Sequence, residues 1–303
     1  MSIRIVFMGS PDFALPTLST LAKSNHVVGV VTQPDRASGR GRELKSPPVK
    51  TLALELNIPI MQPEKLRMPE PMEQLRAWAP DLIVVTAFGQ ILKKDVLDLP
   101  RYGCINLHAS LLPRWRGAAP INAAILAGDE ETGVTIMKMD VGLDTGPMFA
   151  KKSIRLNPDD TTGSALGALS TLGADLLNQT LPDIISGKLK AEPQPEEGVT
   201  YAPMLKKEDG LLDFTHSAIE LERRVRAMNP WPGAWFEWNG NPLKVARASV
   251  VSGEKSLASG SKFTVEGRPA VMSADGALIL DEVQPAGRKS MSGKSFLAGA
   301  RGW

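Results

Sequence analysis

Apolar runs of strand length recur through the first half of this chain, and segments of helical period separate them. IRIVFMG (3–9), HVVGVVT (26–32), IPIMQP (58–63), DLIVVTAFG (81–89), GCINLHAS (103–110) and GVTIMKM (133–139) read as strands. DFALPTLSTLAKS (12–24), with Asp12 placed to cap it, VKTLALELN (49–57), MEQLRAWAP (72–80), PINAAILAG (120–128) and the long stretch 164–188 read as helices. A strand wetted on one side alternates apolar and polar residues. These runs are nearly continuous, so both faces of their sheet must be covered. Strands alternating with helices then give a mostly parallel sheet between helical layers, a Rossmann-like α/β domain.

The pattern stops near residue 189. KAEPQPEEG (190–198) is rich in proline and acid and reads as a linker. Beyond it come one helix, HSAIELERRVRAM (216–228), and short strands broken by glycine and proline turns: AWFEWNG, LKVARASVV, FTVEGRPAVM and ALILDEV. Three segments follow: an α/β domain over 1–189, a linker over 190–205, and a smaller β-barrel-like, OB-like domain over 206–303. A length of 303 residues suits two domains.

The formal net charge of +2 hides two clusters. Residues 36–50 hold Arg36, Arg40, Arg42, Lys45 and Lys50 against Glu43, a net of +4. Residues 284–303 hold Arg288, Lys289, Lys294 and Arg301 with no acid, again +4. Clustered positive charge is the footprint of a polyanionic partner, although a short run of this kind also suits a solvated loop. The single cysteine, Cys104, excludes a disulfide framework and a multi-cysteine metal site. It reads as a buried, inert thiol, and no metal is expected. Met1–Val6 enters a strand directly, and no apolar run approaches the roughly 20 residues a bilayer requires. The expectation is a cytoplasmic protein.

Chemistry concentrates in NLHASLLPRWRG (106–117), which holds one of only three histidines. Asn106 and His108 are two apart and share one face of an extended strand. They stand near its carboxyl end, the edge where open α/β sheets bind ligands. The loop Asp140–Pro147 follows another strand and brings Asp140 and Asp144 towards the same edge. Asn, His and Asp together suit attack by an amine on an activated carbonyl. A neutral imidazole accepts the amine's proton, a nearby carboxylate fixes the ring, and an amide N–H stabilises the developing oxyanion. No serine or cysteine stands out as a nucleophile, so direct transfer is favoured over an acyl-enzyme. From spacing alone, a lone strand histidine such as His108 is more often a satisfied core or surface residue than a catalyst.

These motifs resemble the folate-dependent formyltransferase family, and the resemblance covers 1–205. Its pattern Asn-x-His-x-Ser-Leu-Leu-Pro, then Arg-Gly, then Asp-x-Gly-x-Asp-x-Gly, is unbroken in Asn106, His108, Ser110–Leu111–Leu112–Pro113, Arg116–Gly117, Asp140, Gly142, Asp144 and Gly146. The resemblance implies 10-formyltetrahydrofolate as donor and co-substrate. It implies that Asn106 and His108 assist at the tetrahedral intermediate and that Asp144 works through His108 and a water. It places the folate pocket at Ser110, Leu111, Leu112 and Pro113, at Phe88, Gly89 and Gln90, and at the loop beginning with Asp140.

The opening turn Gly9–Ala14 is not Gly-x-Gly-x-x-Gly, so a dinucleotide reading is weak. The segment 33–50 is long for a connection between strand and helix, where about 2–6 residues is usual. It resembles the basic insertion found in family members that act on initiator methionyl-tRNA, where it enters the acceptor end. That likeness implies phosphate contacts from Arg36, Arg40, Arg42 and Lys45, with initiator methionyl-tRNA as partner. NPWPGA (229–234) resembles a segment of the family and, taken alone, reads as a packed domain junction rather than a ligand site; 206–303 resembles the family's barrel-like carboxyl domain. Fourteen basic against eleven acidic residues there suit a tRNA stem. The chain is expected to act as a monomer. Three rivals stay open: a formyltransferase for an amino sugar nucleotide, a non-catalytic RNA-binding module, and a hydrolase of the formyl donor.

Overall fold

Short β-branched runs flanked by turn residues form the strands of the first half, in chain order with their helices. They are β1 (Arg4–Gly9), α1 (Leu15–Ser24), β2 (His26–Val31), β3 (Arg36–Ser38), β4 (Glu43–Lys45), α2 (Pro48–Glu55), β5 (Ile60–Met61), α3 (Pro69–Ala77), β6 (Leu82–Thr86), α4 (Lys94–Leu97), β7 (Cys104–His108) and β8 (Arg116–Gly117). Next come α5 (Pro120–Ala127), β9 (Glu131–Lys138), β10 (Met148–Arg155), α6 (Thr162–Ile185) and β11 (Tyr201–Ala202). This computed structural model describes residues 3–38, 43–252 and 257–303. Packing divides the chain into one unit of 1–117, 132–154 and 166–201 and a second of 118–131, 155–165 and 202–303.

Seven strands form the sheet of the first unit, in the order β10-β9-β7-β6-β1-β2-β5. β1 lies parallel to β2 and β6, with Phe7 opposite Val30 and Val84. β6 lies parallel to β7. Both faces are covered, as the continuous apolar runs require: Ile5, Val6, Phe7 and Met8 are all fully buried. On one face, Val6, Met8, Ile83, Val85 and Cys104 pack with Met72, Leu75 and Trp78. On the other, α6 approaches β7 so closely that a Cβ at Gly173 would meet the Leu107 side chain at 2.7 Å.

The sheet departs from a fully parallel one at β9, which pairs antiparallel to β7 with His108 opposite Thr135. The chain leaves β7 at its carboxyl end and re-enters the sheet at that same end. No covering crossover is needed for such a pair. β10 escapes sequence reading because only part of it is covered, and Lys151, Lys152 and Arg155 interrupt its apolar residues. At the amino end, Asp12 does not cap α1. It lies in a 3-10 turn, Asp12–Ala14, behind Pro11, and α1 starts at Leu15 with Pro16 in its first turn, where a missing N–H costs nothing.

In the second unit the chain runs through α7 (Ala218–Ala227), β12 (Ala234–Trp238), β13 (Asn241–Ser252), β14 (Lys262–Val265), β15 (Arg268–Met272), β16 (Gly276–Gln284), β17 (Met291–Ser292) and α8 (Gly293–Leu297). Its antiparallel sheet has the order β12-β13-β16-β15-β14, with β17 on β16. Ser217 and Glu220 form a capping box that starts α7. Leu221, Val225 and Met228 enter a core with Phe236, Leu243, Leu278, Leu280 and Phe296. Helix α5 belongs to this unit as well: Asn122 Nδ2 donates to the Ala227 carbonyl at 2.6 Å.

Cys104 is buried and its thiol points at the Val96 carbonyl. Burial pushes that thiol up to about 12. The folded protein should therefore resist iodoacetamide in mildly alkaline buffer and be alkylated only after unfolding, as intact-mass measurement would show. Labelling at the rate of a free thiol under native conditions would contradict this packing.

Candidate active site

Strand β7 sets the site. Every residue of it is buried, and Asn106 and His108 project from one face near its carboxyl end at 9% and 6% exposure. Asp144 reaches them from the loop after β9. Asn106 Nδ2 donates to Asp144 Oδ1 at 3.3 Å, and His108 Nδ1 stands 3.6 Å from Asp144 Oδ2. The backbone N–H of Gly117 donates to the same Oδ2 at 2.9 Å. Three side chains from two separate stretches therefore converge.

The opposite ring nitrogen settles the tautomer. His108 Nε2 lies 2.9 Å from the carbonyl oxygen of Trp115, which can only accept. Nε2 thus carries the hydrogen of the neutral ring, and Nδ1 presents a lone pair. A proton taken up by His108 arrives on Nδ1, facing a carboxylate that balances its charge. At 3.6 Å the pair is too long for a hydrogen bond in this state; such contacts shorten in the reacting complex.

The other residues singled out by sequence surround this centre in differing roles. Ser110 is fully buried, and its hydroxyl donates to the Arg114 carbonyl at 2.6 Å. Leu112 is also fully buried, and the Leu112–Pro113 peptide is cis. Leu111 and Pro113 are half-buried. Phe88 is buried, and its carbonyl accepts from Gln33 Nε2 at 3.0 Å. Gly89 is exposed with φ of +81°. The Gln90 amide ties the loop to its neighbour, accepting from Leu66 N–H at 2.9 Å and donating to the Pro63 carbonyl at 3.0 Å. Asp140 shapes its own loop through Gly142 N–H and the Thr145 hydroxyl.

In the basic segment, Arg40 and Arg42 lie outside the described residues. Arg36 and Lys45 stand on the antiparallel pair β3 and β4, both exposed. Two of the cations counted in this stretch have carboxylate partners. Lys50 Nζ donates to Asp35 Oδ2 at 2.6 Å, a bond that holds the Asp35 carboxyl below the usual range, with help from Gln62. Arg36 meets Glu64 at 3.4 Å on the surface, a pair too solvated to hold it back from a stronger anion. Among the described residues no cluster of His, Cys, Asp and Glu has a metal-ligating arrangement, and no helix is long and apolar enough to cross a membrane.

Sequence reasoning did not single out Thr135 or the Trp115 carbonyl. Thr135 donates to the Ser110 carbonyl at 2.6 Å and accepts from Leu112 N–H at 3.1 Å, which fixes the turn after β7. Only the antiparallel register, which strand patterns do not reveal, places it opposite His108. Gly146 is the other constraint on the carboxylate. A Cβ there would collide with the Lys138 carbonyl oxygen, so Gly146→Ala must push the Asp144 loop away from β9. Turnover at this site should fall about tenfold or more, because small misplacement of catalytic groups is costly. An unchanged kcat would show that the loop absorbs the shift.

The fold and site define a class, and the comparisons state it. The family described as "Formyl transferase" matches residues 3–181, and "Formyl transferase, C-terminal domain" matches 204–301. The chain belongs to the formyl transferase family. It is similar to the methionyl-tRNA formyltransferases of Geotalea uraniireducens and Myxococcus xanthus, each 50% identical over 98% of this chain and 95% of that protein. Among solved structures, it shares its fold with the N-formyltransferase of Helicobacter canadensis, whose structure holds folinic acid and dTDP-3-aminofucose. That match has TM-score 0.68 and 17% identity, over 94% of this chain and all of the other. The methionyl-tRNA formyltransferase of Clostridium thermocellum matches with TM-score 0.59 and 15% identity, over 93% and 98%.

Proposed function

We propose that this chain transfers the formyl group of 10-formyltetrahydrofolate to the α-amino group of methionine on initiator methionyl-tRNA. One observation carries the choice of acceptor: near-full-length likeness, at 50% identity, to proteins named methionyl-tRNA formyltransferase. The convergence of Asn106, His108 and Asp144 supports the chemistry.

The amine of an aminoacyl group has a reference pKa of about 7.7–8.0, so roughly a tenth to a sixth of it is neutral and nucleophilic at pH 7. As its nitrogen bonds to the formyl carbon, negative charge gathers on the formyl oxygen. Asn106 Nδ2 has two N–H groups; Asp144 accepts one, and the other serves that oxygen. His108 takes the amine's proton on Nδ1 beside Asp144, then returns it to the folate nitrogen as the C–N bond of the donor breaks. The donor's flat ring is held at Ser110–Pro113, Phe88–Gln90 and the Asp140 loop. Support comes from loops that present backbone groups and apolar side chains together: Ala87 and Gly89 have positive φ, while Ile91, Val141 and Leu143 are 86%, 72% and 58% exposed.

Arg36, Arg40, Arg42 and Lys45 grip the acceptor end of the tRNA. Residues 1–189 perform the transfer, 190–205 link, and 206–303 ride on the tRNA stem. The proposed chain acts as a monomer in the cytoplasm, where its substrates are; a site assembled from Asn106, His108 and Asp144 of one copy needs no second chain. The test is an acceptor panel. With formyl donor present, methionyl-tRNA should be formylated and a dTDP-amino sugar should not. Formylation of the sugar nucleotide alone would overturn the assignment.

A further inference from the structure

Asp144 adopts φ of +52°. A non-glycine residue is uncommon in this left-handed region, aspartate less so than most, and contacts around it hold it there. Its carboxylate is held by Asn106 and by Gly117 N–H. Its backbone is held by Gln194, from the proline- and acid-rich stretch that composition marks as a linker. Gln194 Nε2 donates to the Asp144 carbonyl at 2.7 Å and to the Gly146 carbonyl at 2.8 Å. Gln194 Oε1 accepts from Arg116 Nε at 3.0 Å and Nη2 at 2.7 Å.

This amide has one admissible orientation. A guanidinium only donates and a carbonyl only accepts, so a flipped amide would oppose donor to donor and acceptor to acceptor. Both hydrogens and both lone pairs are engaged. The contacts close a ring: Asp144 carboxylate to Gly117 N–H, along the backbone to Arg116, through its guanidinium to Gln194, and back to the Asp144 carbonyl. The same strap also reaches the other side of His108. Thr200 Oγ1 accepts from Trp115 N–H at 2.8 Å, and the Thr200 carbonyl accepts from Arg116 N–H at 2.9 Å. The Trp115 carbonyl is the group that fixes Nε2 of His108. Glu192 anchors the strap by pairing in both directions with Met148 at 2.7 and 2.8 Å.

We infer that Gln194 is a positioning residue for the transfer step: its amide locks the left-handed Asp144 backbone, and so keeps the carboxylate on Nδ1 of His108. The inference rests on the transfer reading above. Gln194 touches neither donor nor acceptor in this scheme, so its loss falls chiefly on kcat, with a smaller rise in donor KM because the loop it holds also meets the donor. Gln194→Glu separates the two halves of the amide. It keeps an acceptor for Arg116, loses both donors, and sets a carboxylate against two carbonyls. Gln194→Met keeps length and volume without any of the four bonds. Glu197→Ala, an exposed position on the same strap, is the control.

In steady-state formylation, Gln194→Glu and Gln194→Met should lower kcat by about 10–100-fold. The tRNA KM should stay within about twofold, the donor KM should rise less than kcat falls, and Glu197→Ala should match the wild type. The His108 imidazole 15N signals should form one sharp set in the wild type and should split or broaden in Gln194→Glu. A folded Gln194→Met protein with wild-type kcat, or a rise in KM alone, would overturn the inference; the methionine variant decides if the glutamate variant does not fold. Should the wild type itself fail to formylate methionyl-tRNA, the functional reading fails separately, and unchanged imidazole signals would then count against Gln194.

Discussion

His108→Ala should retain folded structure and formyl-donor affinity while kcat for formylation of methionyl-tRNA falls by about 10²–10⁴-fold, the usual contribution of a positioned general base. The attacking amine gains positive charge as it bonds to the formyl carbon; in the proposed scheme Nδ1 receives its proton, and without Nδ1 that proton is left to the Asp144 carboxylate or to water. Asn106→Ala should lose about 10²–10³-fold in kcat, because the missing N–H acts only on the charge that develops in the transition state. Neither variant should greatly change KM, since neither group is aimed at the substrates' ground state. Rapid-quench single-turnover rates, which separate chemistry from product release, are the measurement that checks both. The two losses should not add in the double variant, because Asp144 joins both residues at one carboxylate.

The second large effect falls on the acceptor alone. Arg40→Ala with Arg42→Ala should reduce kcat/KM for methionyl-tRNA by roughly 100-fold, taking about 1.5 kcal/mol for each charge-assisted hydrogen bond that the variant cannot form. The KM for formyl donor should be unchanged. The dependence of log KM on log salt should also flatten, by about 0.7–0.9 for each phosphate no longer neutralised. An amino sugar nucleotide acceptor would show neither change. Unaltered tRNA kinetics in the double variant would remove the basic segment from the recognition scheme, while leaving the chemistry at His108 intact.

Much of the fold and site is legible in the sequence because the decisive signals are local. Two-residue spacing on one buried strand puts Asn106 and His108 on the same side, and paired glycines make the Asp144 loop a turn. The apolar runs of β1, β2, β6 and β7 announce a covered sheet. What escaped depends on contacts distant in the chain. The antiparallel placement of β9 turns on where the chain re-enters the sheet, and no local period encodes that. β10 is too exposed for an apolar pattern. The stretch 190–202 has linker composition, yet Glu192, Gln194 and Thr200 fasten it to the site through hydrogen bonds that composition cannot display. Likewise, the polar atoms of Ser110, Gln90 and Asp140, which the family motif names for the pocket, are engaged in holding the loops' shape.

The fate of an isotopically labelled formyl group distinguishes transfer from its rivals. Labelled 10-formyltetrahydrofolate and methionyl-tRNA are mixed with the wild type and with His108→Ala, the aminoacyl ester is hydrolysed, and the released amino acid is analysed by mass. Label should appear in N-formylmethionine with the wild type and fall at least a hundredfold in rate with His108→Ala, at the low end of the range for removal of a general base. Label found only as formate, or transferred at the wild-type rate by His108→Ala, would contradict the account.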